Sequence, residues 1–195
     1  MYFALVGIMV AAALDIRTVL TDPGASHADQ VRALSAAEKD PRKDVWRWVA
    51  ALIPRSDETL RPHLIKALRR TNATQHALKT VQQDPAASDE TLWLDALRVL
   101  RVTKPTKGSA DAGLRHRAVA VRQEAALLGV VAKPLINDTS LLTALNDDDS
   151  TVRDFVVQAL RVRLSPATRE ALRARAKIET NAVVQNDIAA ALALP

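Results

Sequence analysis

No cysteine occurs in the 195 residues, which excludes disulfide staples and thiolate-bound metal. It leaves the compartment open, since a disulfide-free chain can live anywhere. Aromatic residues make up only 3%, and that scarcity argues against a β-sandwich, whose strands draw on aromatic and β-branched side chains. Gly-rich phosphate loops are absent. The four histidines, His27, His63, His76 and His116, form no i, i+4 pair and have no adjoining Glu. No metal, nucleophile or cofactor site is therefore implied, and the chain is not expected to be an enzyme.

Alanine, leucine, valine and arginine dominate what is present, which favours helices. With 48% hydrophobic residues the chain is long enough for one domain with a continuous core. Its formal charge of +5, from 27 Lys and Arg against 22 Asp and Glu, points toward an acidic partner or nucleic acid while staying within the range of a mixed solvated surface.

Internal similarity carries more information. The pentapeptide SDETL occurs at Ser56–Leu60 and again at Ser88–Leu92. Aligning on its Leu brings in AVAV ending at Val121, DDSTV ending at Val152 and TNAVV ending at Val184. These five anchors stand 32, 29, 31 and 32 residues apart. Four residues after each stand Leu64, Ala96, Ala125, Val156 and Ile188; eight after stand Leu68, Leu100, Gly129, Leu160 and Leu192. Apolar positions at i, i+4, i+5 and i+8 form one helical stripe rather than the alternation of a strand. Shorter helical stretches precede them: DVWRWVAALI before Pro54, NATQHALKTVQQ before Asp84, TSLLTALN, and SPATREALRARA with Ser165 as a cap before Pro166. Each repeat reads as helix–turn–helix, and one pair cannot bury its own stripe, so neighbours must stack.

The segment LNDDDSTVRDFVVQAL, residues 145–160, with an acidic loop, Val-Arg and an apolar helix, resembles a HEAT-like repeat of the short kind found in phycobilisome lyases. VAVRQEAALLGVV, residues 119–131, is similar to it, and SDETLWLDALRVL more loosely. The resemblance spans roughly residues 44–194. It implies an all-α fold, an α-solenoid of about five helical pairs, and a family of scaffolds, adaptors, chromophore lyases and a few DNA-repair glycosylases. It also implies that Arg122 and Arg153, which follow their anchors, pair with nearby loop aspartates. The stretch VTKPTKGSADAG, residues 102–113, breaks the pattern and reads as a loop replacing a first helix.

The aspartate triplet fails as a calcium loop, because from Asp147 the sixth position is Val152 and the twelfth Gln158. It reads as a helix cap supplied by Asp148, Asp149 or Ser150, with Ser56 and Ser88 in that role earlier.

Six residues are candidate partner contacts. Arg69, Arg101 and Arg161 stand nine after their anchors, with Val130 and Ala193 in the other repeats, and are expected as a ladder along the second helices. Guanidinium groups suit carboxylates or phosphates, although a helix dipole alone favours cations in a last turn. Trp93, beside Asp95 and Arg98, reads as a partner contact or packing residue; some HEAT-like glycosylases use Trp, Asp and Arg to hold a damaged nucleotide. Lys104 and Lys107 sit in the irregular loop, where solenoid insertions often bind. Of Trp46 and Trp48, two apart, at most one faces the core squarely.

The run MYFALVGIMVAAAL, residues 1–14, is apolar all round. Residues 1–20 are read as an apolar helix: a membrane anchor or signal, a helix buried in a partner or the solenoid end, or a truncated start. An anchor makes the protein membrane-associated, with the solenoid cytoplasmic by charge bias; cleavage places the repeats in the periplasm or outside the cell. Residues 21–43 read as linker and entry segment, and 44–195 as the repeat domain. The expected function is a non-catalytic scaffold or adaptor with a protein partner of acidic surface. Nucleic-acid binding and a lyase or glycosylase activity are the alternatives.

Overall fold

The computed structural model describes residues 15–83, 89–103, 110–132 and 135–194, and among these every regular element is helical. The chain divides into two compact units, Met1–Thr71 and Asn72–Pro195. Asn72, with φ of 53°, takes a left-handed conformation, one that Asn tolerates better than most residues.

The first unit holds α1 (Ile16–Thr21), α2 (His27–Ala37), α3 (Val45–Ala51) with a 3₁₀ turn at Ile53–Arg55, and α4 (Arg61–Arg70). Asp15 caps α1 and Ser26 caps α2. Helices α1, α2 and α3 pack on one another, and α4 lies on α2 and α3, around a core that includes Leu20, Leu34, Val49, Leu64 and Leu68, all buried. Two expectations are corrected here. The stretch 21–43, read as linker and entry segment, contains α2, whose Ala33, Leu34 and Ala37 are fully buried. Ile16 and Leu20, assigned to the apolar amino-terminal segment, are core residues of this unit, and Arg55 Nη2 donates to the Leu20 carbonyl at 2.8 Å. The rest of that segment, residues 1–14, lies outside the described residues. Trp46 is buried, while Trp48 lies under the Arg42 guanidinium, 4.5 Å from its centroid.

The second unit holds α5 (Ala73–Val81), α6 (Glu90–Thr103), a 3₁₀ helix at Asp111–Arg115, α7 (Val119–Val131), α8 (Asp138–Ala144), α9 (Ser150–Arg161), α10 (Pro166–Ala176) and α11 (Ala182–Leu192). The 3₁₀ helix stands where the first helix of its pair was missing from the sequence. The longer second helices pack in chain order, α6 on α7, α7 on α9 and α9 on α11, with α5, α8 and α10 each against its own partner. The column four residues after the anchors is buried throughout: Ala96, Ala125, Val156 and Ile188. Small residues let α7 and α9 approach closely. A Cβ on Gly129 would stand 3.1 Å from both Ala159 Cβ and Leu141 Cδ2. Arg163 ties the ends together, donating to the carbonyls of Gly129 and Ile136 and pairing with Asp138.

Candidate functional site

One side-chain hydrogen bond to the anchor N–H recurs in four of the five sequence repeats. The anchor N–H donates to a side chain three residues earlier: Leu60 to Asp57 at 2.8 Å, Leu92 to Asp89 at 2.9 Å, Val152 to Asp149 at 2.9 Å and Val184 to Asn181 at 3.2 Å. The acceptor is thus one residue later than the expected Ser56 and Ser88. A carboxylate both accepts the N–H and complements the helix dipole, which a hydroxyl does not. Ser56 Oγ donates back to the Ile53 carbonyl instead, and Ser88 lies outside the described residues. In the exception, Val121, the corresponding position is Ala118, whose own N–H donates to His116 Nδ1 at 3.0 Å.

A clamp then links one repeat to the next. Arg122 Nε and Nη2 donate to the Asp147 carboxylate at 2.7 and 3.1 Å, while Nη1 donates to the carbonyls of His116 and Arg117. Arg153 does the same one repeat on. Its Nε and Nη2 reach Glu179 at 2.8 Å each, and Nη1 reaches the carbonyls of Asp147 and Asp148. Each guanidinium closes its own loop and grips the acid five residues before the next anchor. Gln185, at the same position in the last repeat, keeps only the first half, donating to the Glu179 carbonyl at 2.6 Å. Trp93 and His116 occupy the equivalent pair of positions one repeat earlier, with ring centroids 5.3 Å apart and planes tilted by 47°. The arginines therefore reach acids of the following loop, and Arg153 pairs with Glu179 rather than with the aspartates of its own loop.

Glu179 is the best-satisfied charge of the set. Arg153 holds its carboxyl well below the usual 4.5, at about 2, helped by the Asn181 N–H and by Arg175 against the opposing effect of burial. Asp149 is also held low, first by the Gln123 amide and then by the Val152 N–H.

On the second helices lies a groove of about 240 Å³, lined by Leu94, Arg98, Ala120, Gln123, Glu124, Leu127 and Phe155. Its lining mixes the apolar Leu94, Ala120, Leu127 and Phe155 with guanidinium, amide and carboxylate groups. The charges there are largely paired internally, Arg98 with Asp95 at 3.7 Å and Arg101 with Glu124 at 3.1 Å. Beyond it on α9, Asp154 accepts from Gln158 at 3.2 Å, and burial followed by the neighbouring Asp187 pushes its carboxyl up. Such a surface can seat apolar side chains of a partner and orient them through its polar groups.

The expected contacts distribute unevenly. Arg69 is exposed on α4 and Arg161 at the end of α9. Arg101 is half-buried and engaged with Glu124, and Val130 on α7 interrupts the column, so within the second unit the arginines do not form a continuous ladder. Trp93 is fully buried against His116 and is a packing residue, unavailable to a partner or a nucleotide. Lys104 and Lys107 lie outside the described residues. Gln123, Glu124, Leu127 and Phe155 were not singled out from sequence. The signal that could have found them was the run of positions two, three and six after the anchors, which the apolar stripe leaves free.

Among the described residues no three His, Asp or Glu side chains are grouped to hold a metal ion, and no helix is long and apolar enough to cross a membrane. Compared with protein-family models, with curated proteins and with solved structures, the chain matches none.

Proposed function

We propose that the chain is a HEAT-like helical-repeat protein, an α-solenoid that works as a non-catalytic scaffold or adaptor and seats a protein partner in the groove on α6, α7 and α9. The observation that carries this reading is the clamp. Its repetition from Trp93–His116 through Arg122–Asp147 to Arg153–Glu179 spends the strongest polar groups on holding neighbouring repeats in one register. A stiff succession of helices with a mixed groove is the equipment of a binding surface, since ordering costs are met before the partner arrives.

Affinity capture tests it, using the full chain against membrane and soluble fractions with and without nuclease, beside a Leu127→Glu/Phe155→Glu variant. Both side chains are half-buried in the groove lining, so the variant adds two charges where apolar contact is expected. The expected result is stoichiometric protein partners that survive nuclease and are lost with the variant. Recovery of nuclease-sensitive material alone moves the function to nucleic acid, and equal recovery by the variant places the partner elsewhere.

A further inference from the structure

Helix α4 carries a feature that the groove does not use. Its stripe of Leu64, Ala67 and Leu68 is buried where the helix packs on α2 and α3. The opposite arc presents Pro62, Ile65, Lys66, Arg69 and Arg70, which line a hollow of about 450 Å³. The helix sequence RPHLIKALRR has four cations and no acid. Lys66 pairs with Glu38 at 2.9 Å, whereas Arg69 and Arg70 are exposed and have no ion-pair partner among the described residues. The dipole of α4 tolerates cations in its last turn, but it does not account for their sharing one arc with exposed Pro62 and half-buried Ile65.

We infer that this face of α4 is a docking surface for an acidic amphipathic peptide segment of a protein partner, an inference that rests on the scaffold reading above. Charge complementarity selects the occupant. Arg69 and Arg70 present planar donor forks that match carboxylates in pairs. Ile65, half-buried, and Pro62 receive the apolar residue that such a segment carries between its acids. A nucleic acid would use the cations and leave Pro62 and Ile65 uncovered, and among the described residues the lining of the hollow holds no aromatic ring on which a base could stack.

The test uses the full chain and a fluorescein-labelled helical peptide of glutamates and leucines. Its glutamine counterpart and a single-stranded oligonucleotide serve as competitors. Circular dichroism first establishes that Arg69→Glu/Arg70→Glu and Arg173→Glu keep wild-type helicity; Arg173 is exposed on α10 and controls for a charge reversal away from α4. The acidic peptide is expected to bind the wild type and the Arg173→Glu protein alike, and to bind the Arg69→Glu/Arg70→Glu protein about tenfold or more weakly. The glutamine peptide should compete poorly. Equal weakening by Arg173→Glu, or unchanged binding to the double variant, overturns the site. Equal competition by the glutamine peptide removes the role of charge, and stronger competition by the oligonucleotide replaces the peptide with nucleic acid. Capture through the groove is read separately with Leu127→Glu/Phe155→Glu. Failure at α4, while the wild type captures protein partners that Leu127→Glu/Phe155→Glu loses, removes only this surface; a wild type that captures no nuclease-resistant protein partner removes the reading beneath it.

Discussion

Leu160→Asp is expected to abolish the cooperative unfolding transition of the second unit. Leu160 is fully buried on α9, eight residues after its anchor, where the stripe of that helix meets its neighbours. Truncation to Ala at such a site costs about 2–5 kcal/mol through lost burial and the cavity left behind. Aspartate adds a carboxylate with no partner, whose desolvation costs several kcal/mol more or forces protonation. Against a domain stability of roughly 5–15 kcal/mol, the sum removes the folded state. Far-ultraviolet circular dichroism with a thermal melt checks it, with Leu160→Ala as the graded comparison. A variant that stays fully helical and melts cooperatively at the wild-type temperature would show that the register of α9 is wrong.

Glu179→Gln is expected to destabilise the second unit by about 3–5 kcal/mol, the usual cost of breaking a buried ion pair from one side. The side chain of Glu179 is fully buried and that of Arg153 is 8% exposed. Glu179 accepts from Arg153, from Arg175 and from the N–H groups of Thr180 and Asn181. Gln keeps the shape but turns a donor toward two guanidinium groups. The same residue sets the acid limb of stability. Its carboxyl is held at about 2 against a usual 4.5, so the unfolded state takes up the proton first. The contribution is complete above pH 4.5 and is lost as pH falls toward 2. Asp154 acts with the opposite sign. Its raised value means that its proton is bound more readily in the folded state, so its contribution is present at low pH and is lost as pH rises through that raised value. Urea unfolding across the acid range should therefore show a steep loss in the wild type and a shallower one in Glu179→Gln. Identical slopes would remove Glu179 as the source.

The helices were legible because period and punctuation agree. The five anchors and the columns behind them placed α4, α6, α7, α9 and α11, and Ser165-Pro166 marked the start of α10. The contents of the acidic loop were partly legible: an aspartate cap was among the alternatives, and Asp149 supplies it. What failed involved partners distant in sequence. Nothing near Arg153 points to Glu179, 26 residues on. Trp93 and His116 share no chemistry with the arginine–acid pairs, so their common position emerges only when the repeats are packed. Nothing near Arg101 in sequence points to its partner Glu124 either, because Glu124 lies on the next second helix. Residues 21–43 read as linker and entry segment because Asp, Pro, Gly and Ser cluster at their start, yet the same Ser26 that signals a turn also caps α2. The groove was not visible because mixed polar and apolar positions have no periodic signature of their own.

A double-mutant cycle on each charged clamp tests the claim that one repeated contact holds the second unit in register. Arg122→Ala with Asp147→Ala, and Arg153→Ala with Glu179→Ala, would be measured by urea unfolding as singles and pairs. A coupling of about 1–3 kcal/mol is expected in both cycles, the larger at the more deeply buried Arg153–Glu179 pair. Coupling near zero in both, with the single losses simply adding, would contradict the account, because the arginines would then be closing their own loops without joining one repeat to the next.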